Sequence, residues 1–392
     1  MRIAIVAESY LPYVSGVTVS TETLARGLGA RGNAVLVVAP RPARGTLVGS
    51  AGAPGPEPSY AWLPSYQLPV AAPRGYRMPL PLPSRALDRV VAFAPEIVHV
   101  QSPFVAGAIG RAIARRSGAR LVFTHHTRFA AYRHYLGALR RPAGAMLERH
   151  LHRFWAACDA VVAPADDLAA EIRARLPAGS RTVVRVIPTG IDVAAISSIP
   201  SRDARPLAGW APEAIVVASL GRLAPEKSVE LLIEAVALAA DTEPRLRLVL
   251  VGDGPARAVL EREAAARLPQ RAWFGGALPR PEALALLRGA DLFGFASSTE
   301  TQGLVLAEAL ASGLPVVALD GPGVRDSVRH DVDGLVVRRD GLPAAALGAA
   351  MATLAGDDGR RAQLAVAATA GAGRFDVTAR IGEVEALYRS LG

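Results

Sequence analysis

Apolar runs that lead into helical periodicity recur through both halves of this chain, and that alternation restricts its fold more than any other feature. In the first half the runs are Ile3 to Ala7, Ala34 to Ala39, Ile97 to Val100, Leu121 to Phe123 and Val183 to Ile187. In the second they are Ile215 to Leu220, Leu246 to Val251, Ala272 to Phe274, Leu292 to Ala296 and Val316 to Leu319. Runs with no polar alternation suit strands covered on both faces, the condition of a parallel sheet under crossover helices. Helices are expected over Thr21 to Ala30, Arg85 to Phe93 and Val105 to Ser117. A length of 392 residues exceeds what one core fills, so the pattern is assigned to two doubly wound α/β units. The turn Pro188-Thr189-Gly190-Ile191-Asp192 is the expected crossing. It bounds a first domain at 1–192 and a second at 193–370, with a closing helical tail over 371–392. Between Pro40 and Pro83 eleven prolines interrupt the order, which predicts an irregular segment, either a mobile functional loop or a disordered insertion.

Several functional classes are disfavoured at once. The single cysteine, Cys158, excludes an intramolecular disulfide and a cysteine-clustered zinc site. No apolar run approaches a bilayer span, and Met1-Arg2-Ile3-Ala4-Ile5-Val6 enters a strand without a signal-peptide pattern, so a cytoplasmic protein is expected. Residues 1–190 carry 23 arginines against 10 acids, whereas 191–392 carry 21 basic residues against 25 acids. The cationic first half could face an acidic substrate or an anionic membrane surface. Nucleic acid is placed last, because the arginines of 111–153 interleave with apolar helix positions and no recognition motif appears. Met146, Leu147, Leu151, Phe154 and Trp155 recur at helical spacing among Arg140, Arg141, Arg149 and Arg153; such a helix either lies on a membrane or packs on its own sheet. A dinucleotide oxidoreductase lacks support: no Gly-x-Gly-x-x-Gly follows the first strand, and Gly252-Asp253-Gly254 has no third glycine.

The residues that carry chemistry cluster in the second half. Lys227 is the only lysine among 44 basic residues, so its ammonium is a specific choice in an arginine-rich chain. It closes Gly221-Arg222-Leu223-Ala224-Pro225-Glu226-Lys227 at the carboxyl edge of a strand, where open α/β sheets bind ligands. A planar guanidinium and a compact ammonium five residues apart suit the oxygens of a diphosphate, although Lys227 could equally flank the next helix. The second cluster is Ser298-Thr299-Glu300-Thr301-Gln302-Gly303-Leu304-Val305-Leu306-Ala307-Glu308. Gly303 opens a helix whose first amides favour an anion. Glu308 is the only ionisable residue between Thr301 and Leu319, so its carboxylate needs donors such as ribose hydroxyls; sugar hydroxyls could serve Glu300.

Taken in order, Ser15-Gly16-Val17-Thr18, Thr124-His125-His126-Thr127, Ile187-Pro188-Thr189-Gly190-Ile191-Asp192, Gly221-Arg222 with Lys227, Glu300 with Glu308, and Ser312-Gly313-Leu314-Pro315 resemble the retaining glycosyltransferases of family 4. The resemblance covers essentially the whole chain. It implies the GT-B fold, two Rossmann-like domains facing each other across a cleft. It also implies that Arg222 and Lys227 grip a nucleoside diphosphate, that Glu308 takes the ribose, and that Glu300 with the backbone of Gly303, Leu304 and Val305 holds the donor sugar. Gly16 would let the first loop approach the donor, although this loop reads Ser15-Gly16 where the family often has two glycines. His126, preferred to His125, would sit beside the sugar.

The expectation is a cytoplasmic hexosyltransferase, peripheral on the inner membrane face, that needs no cofactor or metal. It would use a nucleotide sugar such as UDP-glucose or GDP-mannose and act on a lipid or lipid-linked acceptor. The segments Glu8 to Val17, Phe123 to Thr127 and Thr299 to Leu306 are most similar to the diacylglycerol-glycosylating and lipid mannosyltransferase branch. A soluble sugar, polyol or inositol-type acceptor remains the alternative.

Overall fold

A computed structural model describes residues 1–13, 15–43, 55–67, 76–81, 85–128 and 140–392. The chain divides into two compact units, Met1–Gly190 with Val377–Gly392, and Ile191–Asp376.

The first unit contains β1 (Arg2–Val6), β2 (Ala34–Pro40), β3 (Ser59–Leu63), β4 (Ser65–Gln67), β5 (Arg77–Pro79), β6 (Ile97–Val100), β7 (Arg120–Thr124), β8 (Ala160–Ala163) and β9 (Val183–Val186). Seven of them form a parallel sheet in the order β3-β2-β1-β6-β7-β8-β9, and β4 and β5 pair as a short antiparallel ribbon. Successive residues alternate between two cores, as a parallel sheet covered on both faces requires. Ala4 and Val6 point to one core, Ile3, Ile5 and Ala7 to the other.

The proline-rich segment departs from expectation, since Ser59–Leu63 adds an edge strand beside β2. Its alternation of buried Ala61 and Leu63 with half-buried Tyr60 and Trp62 suits an edge, where one side of the backbone needs no partner. The stretches 44–54, 68–75 and 82–84 lie outside the described residues.

The helix at 140–156 settles one ambiguity. Leu151, Phe154 and Trp155 are buried in the unit's own core with Leu147 packed against it, while Met146 is 67 % exposed. The side chains of Arg140 and Arg141 lie outside the described residues. The closing helix Val377–Leu391 packs into the core shared with β1 and β2. Its Glu385 accepts from Asn33 at 2.9 Å and Arg31 at 2.7 Å, and these donors hold its carboxyl down at about 2.

The second unit contains β10 (Ile215–Leu220), β11 (Leu246–Val251), β12 (Ala272–Gly276), β13 (Leu292–Phe295), β14 (Val316–Leu319) and β15 (Gly334–Val337), in the order β12-β11-β10-β13-β14-β15 and all parallel. Here too the residues alternate: Val216 and Ala218 enter one core, Ile215 and Val217 the other. The sheet builds outward from β10 in both directions, first through β11 and β12 and then through β13 to β15.

Candidate functional site

That reversal of strand order places a switch point between β10 and β13, where the crossover segments diverge and leave a crevice beyond the carboxyl ends of the strands. Both sequence clusters emerge there. The loop after β10 carries Arg222 and Lys227, and the segment after β13 carries Glu300 and Gly303. Two hydroxyls tie the segments together: Ser297 and Thr299 donate to the Glu226 carbonyl at 3.4 and 3.3 Å. Lys227 Nζ forms an ion pair with Glu300 Oε1 across the same gap. Arg222 stands apart, 57 % exposed, with Nη1 3.9 Å from the buried Glu226.

Gly303 is the cap of the helix Leu304–Ala311 rather than its first residue, with φ of 76°. A β-carbon there would strain the backbone and press on Leu306 Cδ1 at 3.0 Å. The cap leaves the first helical amides, including those of Leu304 and Val305, without carbonyl partners inside the helix, at its positive end. Glu308, two turns on, is buried, and Arg280 on the helix Arg280–Arg288 pairs with it at 2.5 Å. Burial raises the Glu308 pKa and Arg280 opposes the rise. Part of the donor supply that Glu308 requires therefore comes from the chain.

Sequence reasoning missed three supports of this site. Gly252 and Gly254 are not remnants of a dinucleotide motif. They let the loop after β11 lie against the loop after β10, where Leu223 N donates to Asp253 O at 3.0 Å and Ala256 N to Leu223 O at 3.0 Å. At Gly252, with φ of 140°, a β-carbon would stand 1.9 Å from the Gly221 oxygen. Their position after a strand adjoining β10 was the available signal. Arg339 gave none: it reaches from beyond β15 to the Ala296 and Ser297 carbonyls at 2.8 and 3.0 Å and to Asp320 O at 3.1 Å, fixing the chain that leads to Glu300. Arg280 likewise had no pattern linking it to Glu308.

In the first unit, Gly16 begins the helix Gly16–Ala30, five residues earlier than expected, because Ser15 caps it by accepting from Thr18 N at 3.2 Å. A β-carbon on Gly16 would meet nothing within 4 Å among the described residues, so none of their contacts demands glycine there. The two histidines separate. His125 is buried against Phe123 and Trp155 at ring distances of 5.6 and 5.4 Å, and burial pushes it down to about 3. His126 instead lines a cavity of about 50 Å³ with Gln101, Thr124, Ser20 and Arg380. Its Nε2 lies 2.7 Å from Gln101 Oε1, and burial pushes the ring down to about 4. Behind it, buried His99 joins Thr124 Oγ1 at 2.7 Å to Tyr388 of the closing helix at 2.5 Å. The polar residues His99 and Gln101, interrupting and ending a buried apolar strand, were the overlooked signal.

Residues 14–195 match the family model described as Glycosyltransferase Family 4, and 202–370 that described as Glycosyl transferases group 1. The chain is 35% identical over 356 residues to a GDP-mannose-dependent alpha-mannosyltransferase of Mycolicibacterium smegmatis, an alignment that spans 88% of both proteins. It is 29% identical over 328 residues to the alpha-monoglucosyldiacylglycerol synthase of Acholeplasma laidlawii, covering 81% of this chain and 80% of that one. Among solved structures, HepE of Anabaena in complex with UDP superposes with a TM-score of 0.75 at 19% identity, over 100% of both chains.

Proposed function

Because this chain belongs to family 4 of the glycosyltransferases, with a GT-B fold of two Rossmann-like units, we propose that it moves a glucose- or mannose-class hexose from a nucleotide sugar to a lipid or lipid-linked acceptor. The transfer retains the anomeric configuration and needs no metal ion. The observation that carries this reading is the Lys227–Glu300 ion pair at the switch point of the second unit, beside a helix amino terminus. The donor class agrees with the names of the relatives, one GDP-mannose-dependent and one a glucolipid synthase, and with the UDP held by HepE.

Cleavage at the anomeric carbon leaves an oxocarbenium-like sugar and a diphosphate anion, so stabilising the anion lowers the barrier most. Lys227, Arg222 and the helix terminus at Gly303 supply the positive charge. Glu300 holds the ammonium in place until a diphosphate oxygen competes for it, and then turns to the sugar hydroxyls with the amides of Gly303, Leu304 and Val305. Glu308, held on one oxygen by Arg280, offers the other to the ribose. His126, neutral at physiological pH, sits beside the sugar, and Gly16 permits a close approach of its loop. The departing phosphate serves as base for attack from its own face, which preserves configuration. In this scheme 1–192 takes the acceptor, 193–370 the donor, and 371–392 returns to the first domain.

A cationic first half suits a peripheral enzyme on the inner membrane face. The packed stripe of the 140–156 helix supports a second reading with the same chemistry on a soluble polyol, since its main apolar residues are spent on the core. The test is release of nucleoside diphosphate from UDP-glucose and GDP-mannose, with diacylglycerol in anionic vesicles or with myo-inositol, and NMR assignment of the product anomer. Product with vesicle lipid only supports the first reading and product with inositol only the second. An inverted anomer, or no release with any pair, overturns the proposal.

A further inference from the structure

The proline-rich segment has no task in the proposed chemistry, yet its described residues converge on the loop between β1 and the helix Gly16–Ala30. Five of the chain's eight tyrosines and four tryptophans meet there: Tyr10 and Tyr13 from the loop, Tyr60 and Trp62 from β3, and Tyr76 beside β5. Tyr60 and Trp62 share one face of β3, as residues two apart on a strand do, and their rings stack at 4.8 Å and 8°. Tyr10 tilts against both, with ring centres 6.0 and 6.4 Å away. Its hydroxyl donates to Glu22, a fully buried carboxylate that also accepts from Arg26 Nε at 2.5 Å. Arg26 in turn donates to the Gly55 carbonyl at 2.9 Å, so the segment is tied to that helix as well as to the loop. Tyr13 meets Tyr76 edge to face, at 5.3 Å and 88°, a geometry that aromatic rings favour. The ribbon of β4 and β5 beside Tyr76 is itself anchored. Arg77 donates to Ser65 Oγ and O at 2.9 and 2.8 Å, and Ser65 Oγ donates to Arg41 O, just past β2, at 2.7 Å. The start of the loop is fixed separately, with Glu8 accepting from the Val105 and Ala106 amides at 3.3 and 2.9 Å.

We propose that the proline-rich segment is a positioning element for this loop: Tyr76 and the Tyr60–Trp62 pair hold Tyr13 and Tyr10, and thereby set where Ser15 and Gly16 present their backbone. The inference rests on the transferase reading, in which this loop approaches the donor, and adds to it the residues that place the loop. They act through the loop and not on the substrate. A loop already held by ring contacts loses less freedom when it meets the donor, so loosening the clamp weakens binding of the nucleotide sugar. The nucleotide alone, which that reading assigns to the second unit, is bound as before.

The test replaces Tyr76 with leucine, which removes the edge-to-face contact, and with phenylalanine, which keeps the ring. Hydrogen exchange of the peptide spanning residues 7–13 is followed by mass spectrometry on the ligand-free full chain; it contains the Tyr13 amide, which donates to Tyr10 O at 3.2 Å. Exchange should quicken about fivefold in Tyr76→Leu and return to the parent rate in Tyr76→Phe. In nucleoside diphosphate release, Tyr76→Leu should raise the donor KM about fivefold with kcat within about twofold of the parent, while the Kd of UDP or GDP alone is unchanged. Tyr13→Leu removes the same contact from the loop side, so it should reproduce both effects and carries the test if Tyr76→Leu folds poorly. The double variant should be no worse than either single one, since one contact is lost in all three. Parent-like exchange in the folded leucine variants, additive losses in the double variant, or a loss that phenylalanine fails to restore overturns the clamp. Quickened exchange with an unchanged donor KM makes the contact merely structural and overturns the positioning role. If the parent releases no nucleoside diphosphate from any donor, the transferase reading fails and exchange still decides whether the segment holds the loop. Release by the parent with parent-like exchange in the variants refutes the clamp and leaves the transferase reading standing.

Discussion

Replacing Arg280 with methionine isolates the buried Glu308 carboxylate of the candidate donor site. In the parent protein Glu308 is 4 % exposed and Arg280 closes on it at 2.5 Å. Removing the partner of a fully buried ion pair costs roughly 3–5 kcal/mol, because the remaining charge is left in a poorly polarisable setting. Arg280 is itself 43 % exposed, so solvent already screens part of the pair, and about 1–3 kcal/mol is the appropriate figure. For a unit of this size, roughly 2 kcal/mol corresponds to a fall in Tm of about 4–8 °C. The pH dependence carries the stronger test. Glu308 already has a folded-state pKa above its ordinary 4.5, raised by burial and opposed by Arg280, and Arg280→Met removes the opposition. A carboxyl raised in the folded state contributes stability that is present below the unfolded pKa and is lost as pH rises through the folded one. The gap between variant and parent is therefore smallest below about pH 4.5 and widens toward pH 8. Thermal unfolding followed by circular dichroism across pH 4–8 reads it. A gap independent of pH, or none at neutral pH, would refute the electrostatic account of Glu308.

Three further outcomes follow from the same contacts. Gly252→Ala should destabilise the second unit by on the order of 3 kcal/mol and weaken nucleotide binding, since its β-carbon would meet the Gly221 oxygen at 1.9 Å; urea unfolding indistinguishable from the parent contradicts this. With burial pushing His126 down to about 4, its ring stays neutral through pH 5–8, so a pH–rate profile should show no limb from it in that range; a limb near 6.5 that disappears in His126→Ala would count against the reading. Glu385→Gln should cost the first unit about 1–2 kcal/mol at pH 7, because a carboxyl held down by Asn33 and Arg31 contributes stability above its unfolded pKa that is lost as pH falls toward about 2. Equal unfolding midpoints for Glu385→Gln and parent at neutral pH would show that those bonds contribute nothing.

The sequence disclosed most where one physical signal acted alone. Ile97–Val100, Ile215–Leu220, Leu246–Val251 and Val316–Leu319 were legible to the residue, because continuous apolar runs between helices leave a buried parallel strand as the simplest solution. Ser59–Leu63 and Gly334–Val337 were missed, since edge strands need fewer apolar residues and sit beside proline or glycine. The first helix starts at Gly16, ahead of the apolar periodicity that marks it in the sequence, because the Ser15 side chain caps it there. At the site, the juxtaposition of Lys227 with Glu300 was foreseen only as membership of one crevice; that they pair depends on β10 and β13 being neighbours, which no local pattern encodes. Arg280, Arg339 and Gln101 were hidden for the same reason: each acts on a residue 25 to 43 positions away, Gln101 on His126, Arg280 on Glu308 and Arg339 on Ala296 and Ser297. Glu308 was half legible, because its apolar surroundings foretold burial while Arg280, the partner that makes burial tolerable, lay on another helix.

The most direct measurement is calorimetric titration of UDP and GDP into the parent protein and into Lys227→Met, with folding of both verified by circular dichroism. Loss of one charge-assisted contact to a diphosphate should weaken binding by about 1.5–3 kcal/mol, or roughly ten- to a hundredfold, and the effect should diminish at high salt. Equal affinity for both nucleotides in a well-folded variant would contradict a diphosphate site at the carboxyl edges of β10 and β13.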